Sequence, residues 1–256
     1  MMLNKNNHLK TYTTFDEKSY EKLLAVIRNM KAYSLDYSQS AKMTDYFYDN
    51  AGQLLTNSGI VLRRRVMGKK AYLNIMRLHY DEQFFYMDHL RSHERELEIA
   101  SSDPLSKHYF FLNNALNSMF TNALQFDTDK LFEQMNVILT MEVAREVRTI
   151  LGFGGLKVEL RCDKTKFLNK LTNRKNAIDI VRFRLLSGEE TLPYYEDFIK
   201  KVERYCKEIF RTQENRFEIA LRMTKPLPTK EERLARKVEL EKLKRLEKTG
   251  LTAIKK

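Results

Sequence analysis

The chain has little cysteine, proline or glycine, and no tryptophan. Of its 256 residues, 2 are Cys, 4 are Pro and 8 are Gly. Two cysteines exclude a disulfide framework and a four-thiolate zinc site, so we expect a reducing, cytoplasmic compartment. The scarcity of Pro and Gly excludes a collagen-like or low-complexity protein. No run approaches the roughly 18 apolar residues of a membrane span, so no membrane association is expected.

Aromatic residues and positive charge are abundant. With 15 Phe, 13 Tyr and 43% hydrophobic residues, the chain can bury a core, which excludes global disorder. The net charge of +12 predicts an anionic partner, such as nucleic acid, a polyphosphate compound or an acidic surface. Half of that charge lies between Lys225 and Lys256, a segment that contains 11 basic and 5 acidic residues. We therefore expect one main domain over residues 1–222 and a basic helical tail over 223–256.

Hydrophobic periodicity predicts an α+β domain with roughly eight strands. The short links between strands favour antiparallel pairing, and charged residues on one face favour a β-barrel with a polar lumen. Helices flank the strands or are inserted between them, and a charged C-terminal helix is expected over residues 229–248. Strands are predicted at 10–14, 44–48, 60–67, 71–78, 94–99, 137–141 or 145–151, 156–163 and 177–185; helices are predicted at 16–30, from 104, after 127 and from 193.

A run of three arginines lies inside one predicted strand. Alternation places Arg63 and Arg65 on the same face, about 7 Å apart, which matches the reach of a phosphate chain. A solvated strand face that happens to be basic is the alternative interpretation.

Acidic residues alternate along two further strands. Glu94, Glu96 and Glu98 share one face, where three like charges need a cation such as Mg²⁺ or Mn²⁺, or facing arginines. The alternative is a solvent-facing strand with basic neighbours. In the strand at 156–163, Glu159 and Asp163 lie on the polar face, whereas Cys162 lies on the apolar face and is expected in the core.

The order of these motifs resembles a CYTH domain, of the superfamily also called the triphosphate tunnel metalloenzymes. The first half of the resemblance is carried by Tyr46–Asp49, Gly59–Arg65, Ala71–Arg77 and His93–Glu98. The second half is carried by Arg145–Arg148, Lys157–Asp163, Ala177–Val181 and Glu214–Phe217. The resemblance covers about residues 9 to 220.

The resemblance implies an eight-stranded antiparallel tunnel whose basic residues bind a triphosphate and whose acidic residues hold Mg²⁺ or Mn²⁺. Arg77 is matched to a lysine of the family's fourth strand, although a strict register would put Met76 there. The implied phosphate-binding residues are Arg63, Arg65, Arg77, Arg145, Arg148 and Arg216; the implied metal ligands are Glu94, Glu96, Glu98, Glu159, Asp163 and Asp179; Glu96 and Glu98 are the implied catalytic residues.

The chain departs from the family pattern at its first strand. The family opens with Glu-x-Glu-x-Lys, whereas the matching segment here is Lys10-Thr11-Tyr12-Thr13-Thr14. In the last strand, Val181 occupies the place of a second carboxylate. The first hypothesis is a divergent metal-dependent hydrolase of an inorganic, nucleoside or RNA 5′ triphosphate. The alternative is a tunnel fold that has lost its chemistry and binds a phosphorylated ligand or RNA. A basic β-domain whose tail contacts nucleic acid is the third interpretation.

Overall fold

The computed structural model describes residues 9–14, 17–77, 94–119 and 128–225, and these form one antiparallel sheet with helices on both faces. The predicted tail helix at 229–248 lies outside the described residues. The strands are β1 (Leu9–Thr14), β2 (Tyr33–Asp49), β3 (Ile60–Met67), β4 (Lys70–Arg77), β5 (Glu94–Ala100), β6 (Asn136–Gly152), β7 (Lys157–Asn169), β8 (Arg174–Leu185) and β9 (Phe210–Arg211).

Six α-helices accompany the strands in the described part of the chain. Short 3-10 segments at Leu105–His108, Phe153–Gly155 and Glu189–Thr191 connect some of these elements. The helices are α1 (Glu17–Asn29), α2 (Leu54–Asn57), α3 (Tyr109–Met119), α4 (Thr128–Glu133), α5 (Leu192–Tyr205) and α6 (Arg216–Thr224).

The strand order is β5-β4-β3-β2-β6-β7-β8-β1-β9, and every neighbouring pair is antiparallel. The α+β class and the antiparallel pairing are therefore confirmed. The closed eight-stranded barrel is not confirmed: among the described residues the sheet has nine strands and ends at β5 and β9. The ninth strand has only 2 residues. Strand β6 is one strand of 17 residues that spans both segments predicted as alternatives, 137–141 and 145–151.

Two apolar layers cover one face of the sheet, which we call the outer face. Helices α1 and α5 pack on it through a core that includes Leu23, Phe198 and the strand residues Leu160 and Phe183. Helices α2, α3 and α4 pack farther along it, over strands β3 to β5. Because strand side chains alternate, the residues between these apolar positions point to the other side, the inner face.

The inner face is apolar at one end and charged at the other. Helix α6 packs Phe217, Ile219 and Ala220 on inner-face residues such as Phe47 and Met141. A capping box starts this helix: the Asn215 side chain accepts from the Glu218 N–H, and the Glu218 side chain accepts from the Asn215 N–H. This cap fixes the backbone where α6 begins, and so it positions Arg216, the first residue of the helix.

Among the described residues, no helix combines the length and the apolar character needed to cross a membrane.

Phe183 anchors the core between the sheet and α5. Its side chain is fully buried and makes edge-to-face contacts with Tyr12 and Phe198, at centroid distances of 5.8 and 5.6 Å. We expect Phe183→Ala to lower the free energy of unfolding by about 3–5 kcal/mol, because it leaves a cavity and removes both ring contacts. The measurement is urea unfolding. Phe110→Ala, at a side chain that is 81% exposed, is the matched control and should change stability little.

Candidate anion-binding site

The charged end of the inner face begins with a buried ion pair between β2 and β3. Asp45 is fully buried and accepts two hydrogen bonds of 2.7 Å from Nε and Nη2 of Arg65. The two residues are direct partners in the β2–β3 register, and Phe47 pairs with Arg63 two positions along. Arg63 and Arg65 therefore share the inner face, as their alternation in the sequence predicts.

A second pair of the same kind joins β6 to β7. Asp163 is fully buried and accepts hydrogen bonds of 2.6 and 2.9 Å from Nε and Nη2 of Arg145. These two residues are also register partners. Bidentate guanidinium–carboxylate pairs of this geometry are strong and directional, so each holds its carboxylate in one orientation.

Arg216 connects the two pairs. Its side chain is 9% exposed and reaches from the start of α6 between the two aspartates. Its Nη2 lies 3.6 Å from Oδ2 of Asp45, and its Nη1 lies 3.2 Å from Oδ2 of Asp163. One guanidinium therefore neutralises carboxylates from β2 and β7, which the sheet order separates by β6.

Arginines of β7 and β8 complete the group. Glu159 accepts 2.9 Å hydrogen bonds from Arg161 and Arg184, one on each carboxylate oxygen. Arg182 is the register partner of Arg161 and lies on the same face. Exposure rises from 9% at the Arg216 side chain to 24% at Arg161 and 41% at Arg184, so the group opens to solvent at the β7–β8 end.

We call this set the arginine cluster, and positive charge is in excess within it. Several of its guanidinium groups have a buried nitrogen with no hydrogen-bond partner among the described residues: Nε of Arg63, Arg161, Arg182 and Arg184, and Nη1 of Arg216. Buried polar groups in native proteins are nearly always paired, so these donors point to an absent acceptor. The cluster consists of Arg63, Arg65, Arg145, Arg161, Arg182, Arg184 and Arg216, with the carboxylates Asp45, Glu159 and Asp163.

The pKa values of the buried arginines and aspartates reflect this excess of positive charge. Burial, together with the charges of Arg65 and Arg216, lowers the pKa of Arg63 to about 10. Burial and the neighbouring charge of Arg216 lower the pKa of Arg182 to about 10 as well. Burial alone would raise the pKa of Asp45 and Asp163, but hydrogen bonds from Arg65 and Arg145 and the surrounding guanidinium charges outweigh it, so both pKa values lie below the ordinary range. An added anion would relieve the repulsion between the arginines.

The three glutamates of β5 lie on the inner face at the edge of the sheet. Glu94, Glu96 and Glu98 pair with Met76, Asn74 and Tyr72, which continue the face that carries Arg63 and Arg65. The Asn74 amide contacts both Glu94 and Glu96, and Lys70 lies 2.8 Å from Glu98. All three glutamates are exposed.

Three of the predicted site residues lie on the outer face. Arg77 pairs with Ile60, and Met76 takes the inner position, as a strict register predicts. Arg148 forms an ion pair with Glu146 beneath Tyr20 of α1. Asp179 alternates with Ile178 and Ile180, so it points away from Arg63 and Asp163. The structure therefore does not bring these three side chains to the arginine cluster, and their functional roles stay predictions.

The carboxylates that the sequence assigns to metal do not form a ligand set. Within the described ranges, no group of three or more His, Cys, Asp or Glu side chains could hold a metal ion. Asp163 and Glu159 are engaged by arginines on both carboxylate oxygens, whereas Asp179 lies on the outer face. Strand β1 adds no acid, because its inner residues opposite Arg182 and Ile180 are Thr11 and Thr13. Among the described residues, the acids next to the arginines thus do not fit a divalent metal.

Sequence reasoning did not single out Asp45, Arg161, Arg182 and Arg184 as site residues. Arg182 and Arg184 alternate with Phe183, a pattern that places both on one face, as with Arg63 and Arg65. No sequence pattern indicates the role of Asp45, because a single aspartate next to aromatic residues is also typical of a strand end.

A cavity of about 720 Å³ lies on the outer face, away from the arginine cluster. It occupies the part of the sheet between the two helical layers. Lys42, Lys164, Lys166, Glu142 and Asp179 contribute its charged groups. Its acidic and lysine side chains are interspersed, and most of them are exposed. The buried unpaired arginine donors named above for the inner face do not line this cavity.

Comparisons with known proteins give matches to solved structures only. No family model and no curated protein matches the chain. One similar structure is a candidate adenylyl cyclase from Hippeastrum with a dominant triphosphatase activity: identity is 13%, the TM-score is 0.45, and the match covers 86% of this chain and 97% of the other.

Two further structures are of related kinds. A candidate adenylate cyclase from Bacillus halodurans has 12% identity and a TM-score of 0.44, over 82% of this chain and 97% of the other. An inorganic triphosphatase has 13% identity and a TM-score of 0.27, over 73% and 77%. At such identities and TM-scores, the matches assign neither a substrate nor a mechanism to this chain.

The paired aspartates make a testable contribution to stability. We expect Asp163→Asn to lower the free energy of unfolding at pH 7 by about 3–5 kcal/mol, because Arg145 and Arg216 lose a buried partner. The folded-state pKa of Asp163 is lowered, so its stabilisation is present above the ordinary carboxyl pKa of about 4 and is lost as the pH falls towards the folded-state value.

Urea unfolding of the wild type and of Asp163→Asn, at pH 7 and at pH 3, measures this contribution. The difference between the two proteins should narrow at pH 3. Glu98→Gln, at an exposed carboxylate, is the control and should leave stability nearly unchanged at both values. An Asn variant as stable as the wild type at pH 7 would contradict the structural role given to Asp163.

Proposed function

We propose that this chain binds a triphosphate-containing ligand through the arginine cluster of its inner face. The observation that carries the proposal is the set of buried guanidinium Nε atoms without a partner among the described residues, on Arg63, Arg161, Arg182 and Arg184. These donors converge from three strands, β3, β7 and β8, on a region with more positive than negative charge, to which α6 contributes Arg216. Phosphate oxygens suit them, because guanidinium groups bind phosphate through two parallel hydrogen bonds.

The arrangement favours a chain of phosphates over a single anion. Strand β3 offers Arg63 and Arg65 at alternate positions, and β8 offers Arg182 and Arg184 in the same way, so each pair spans about 7 Å. The charge of Arg216 lowers the pKa of both Arg63 and Arg182, which indicates that both lie close to it. A triphosphate could therefore contact both strands, with Arg216 between them.

The ligand would be an inorganic, nucleoside or RNA 5′ triphosphate, since all three present the same group of phosphates. It would enter at the β7–β8 end, where Arg161 and Arg184 are the more exposed members of the cluster. Arg65 and Arg145 also have a structural role in this proposal. Each is paired bidentately with an aspartate, so it holds the cluster together and adds positive charge.

Metal-dependent hydrolysis is the second candidate, and one placement favours it. Glu94, Glu96 and Glu98 lie on the same sheet face as Arg63 and Arg65, and they are exposed to solvent. In this alternative, these glutamates would hold the metal, and Glu96 and Glu98 would be the catalytic residues. The geometry nevertheless favours binding, because the other acids of the face are occupied by arginines and β1 contributes threonines instead of glutamates.

Contact with RNA through the basic tail is a further part of the proposal. The segment from Lys225 to Lys256 carries a charge of +6 and follows directly after α6, which holds Arg216. Such a segment would add salt-dependent affinity for a nucleic-acid backbone to the affinity of the cluster for the 5′ end.

The arginine cluster can be tested with paired variants at Arg63 and Arg182. Each single change to Gln should weaken tripolyphosphate binding by about 1.5–3 kcal/mol, because a charged hydrogen bond to phosphate is lost. Neither arginine forms an ion pair with a described residue, so both variants should fold. The measurement is isothermal titration calorimetry at fixed salt. Arg28→Gln, an exposed arginine of α1, is the matched control and should bind like the wild type. Unchanged affinity in the Arg63→Gln, Arg182→Gln double variant would exclude the cluster as the binding site.

Binding and hydrolysis are separated by phosphate release and by melting. With tripolyphosphate, ATP and triphosphate-ended RNA, we expect no release of phosphate above background, in Mg²⁺, in Mn²⁺ or in chelator. We also expect divalent ions alone to leave the melting temperature unmoved, since a ligand stabilises only a folded state that binds it. Metal-dependent release, with a metal-induced rise in melting temperature that Glu96→Gln and Glu98→Gln erase, would support the hydrolase instead.

The tail is tested by truncation after Lys225. If it contacts the nucleic-acid backbone, the slope of log affinity for RNA against log salt should flatten by nearly one unit for each phosphate that the tail neutralises in the full chain. Tripolyphosphate binding should persist in the truncated chain, because the cluster precedes the cut. An unaltered salt slope would remove the tail from the RNA contact.

A further inference from the structure

The carboxylate oxygens within the arginine cluster are occupied. Asp45 receives Arg65 on both oxygens, Asp163 receives Arg145 on both oxygens, and Glu159 receives one arginine on each oxygen. The Nη atoms of Arg216 add a contact to Oδ2 of each aspartate. A divalent cation would need the same lone pairs at about 2.0–2.1 Å for Mg²⁺, in near-octahedral geometry.

A metal entering this cluster would have to displace guanidinium groups. Arg65, Arg145 and Arg216, which hold the two aspartates, are largely buried, and once displaced they would remain close to an ion of the same sign. Both changes are unfavourable, because each leaves a buried charge without its counter-ion. Within the cluster, the carboxylate oxygens that a metal would need are thus already occupied by arginines.

A phosphate chain, unlike a metal ion, is bound by hydrogen-bond donors and not by lone pairs. The Nε atoms of Arg63, Arg161, Arg182 and Arg184 are buried donors that have no partner among the described protein groups. No arginine–carboxylate pair has to break for a phosphate oxygen to accept from them. The same residues that disfavour a metal therefore favour a bare polyanion.

We propose that the cluster binds the uncomplexed polyphosphate anion, free of divalent metal, and that Arg216 supplies the bridging positive charge. Its guanidinium lies between carboxylates of β2 and β7, with Nη2 3.6 Å from Asp45 and Nη1 3.2 Å from Asp163. It therefore links the two halves of the sheet and neutralises phosphate at the same point. This inference rests on the proposed function and specifies the form of ligand that the site selects.

The first test compares tripolyphosphate binding in EDTA and in excess Mg²⁺ by calorimetry. Because Mg²⁺ binds the same phosphate oxygens, it must be removed before the anion can enter, and we expect at least about tenfold tighter binding in EDTA. Binding that requires Mg²⁺, or is tighter in its presence, overturns the metal-free site while leaving triphosphate binding intact. Absence of binding under both conditions overturns the proposed function, and this inference with it.

The second test removes the bridging guanidinium. In Arg216→Met, Asp45 and Asp163 keep Arg65 and Arg145, but Oδ2 of each aspartate loses its contact with Arg216. One lone pair on each Oδ2 is thereby freed, and Mg²⁺ or Mn²⁺ can bind between the two oxygens. We expect divalent ions to raise the melting temperature of this variant and leave that of the wild type unmoved. Arg222→Met is the matched control on the same helix, where the arginine pairs with Glu214 at the surface.

Melting of Arg222→Met should be insensitive to metal, as in the wild type. A metal-induced rise in the wild type equal to that of Arg216→Met would overturn the role of Arg216. If Arg216→Met fails to fold, the EDTA comparison on the wild type still decides between a metal-free and a metal-loaded site.

Discussion

The placement of one buried guanidinium, that of Arg216, organises the inner face of this protein. It lies against carboxylates of β2 and β7, and each carboxylate is held by a second arginine from a neighbouring strand. Two buried aspartates would be costly alone, and so would a buried arginine. Together they form an alternating series of charges, which holds the first residue of α6 against β2 and β7.

The two faces of the sheet separate folding from recognition. The outer face packs its apolar residues under α1 and α5 at one end and under α2, α3 and α4 at the other. That burial leaves the inner face free to carry charge. Helix α6 covers only the apolar end of the inner face, through Phe217 and Ile219, and its first residue reaches the charged end. The apolar core and the charged cluster therefore lie on different parts of the sheet.

The period of two in the sequence predicts much of the sheet and part of the site. The strand Ile60–Met67 has the predicted bounds, and two of its arginines share the predicted face. The length of β2 could not be predicted, because Tyr33–Lys42 is largely polar and exposed and is held mainly by pairing with β6. Family motifs selected Arg148 and Asp179, but alternation along β6 and β8 places both on the outer face. The approach of Arg216 to β2 and β7 joins distant segments, which no local pattern encodes.

The excess of positive charge has a structural consequence for how such a face can bind its ligand. A site made of carboxylates must recruit a metal before it can attract a phosphate, and the metal then determines the geometry of the contact. Here the cations are side chains held by bidentate bonds and by a capped helix, so the geometry is set by folding. The repulsion that remains among Arg63, Arg182 and Arg216 is what an entering anion relieves, and this couples ligand binding to the stability of the fold.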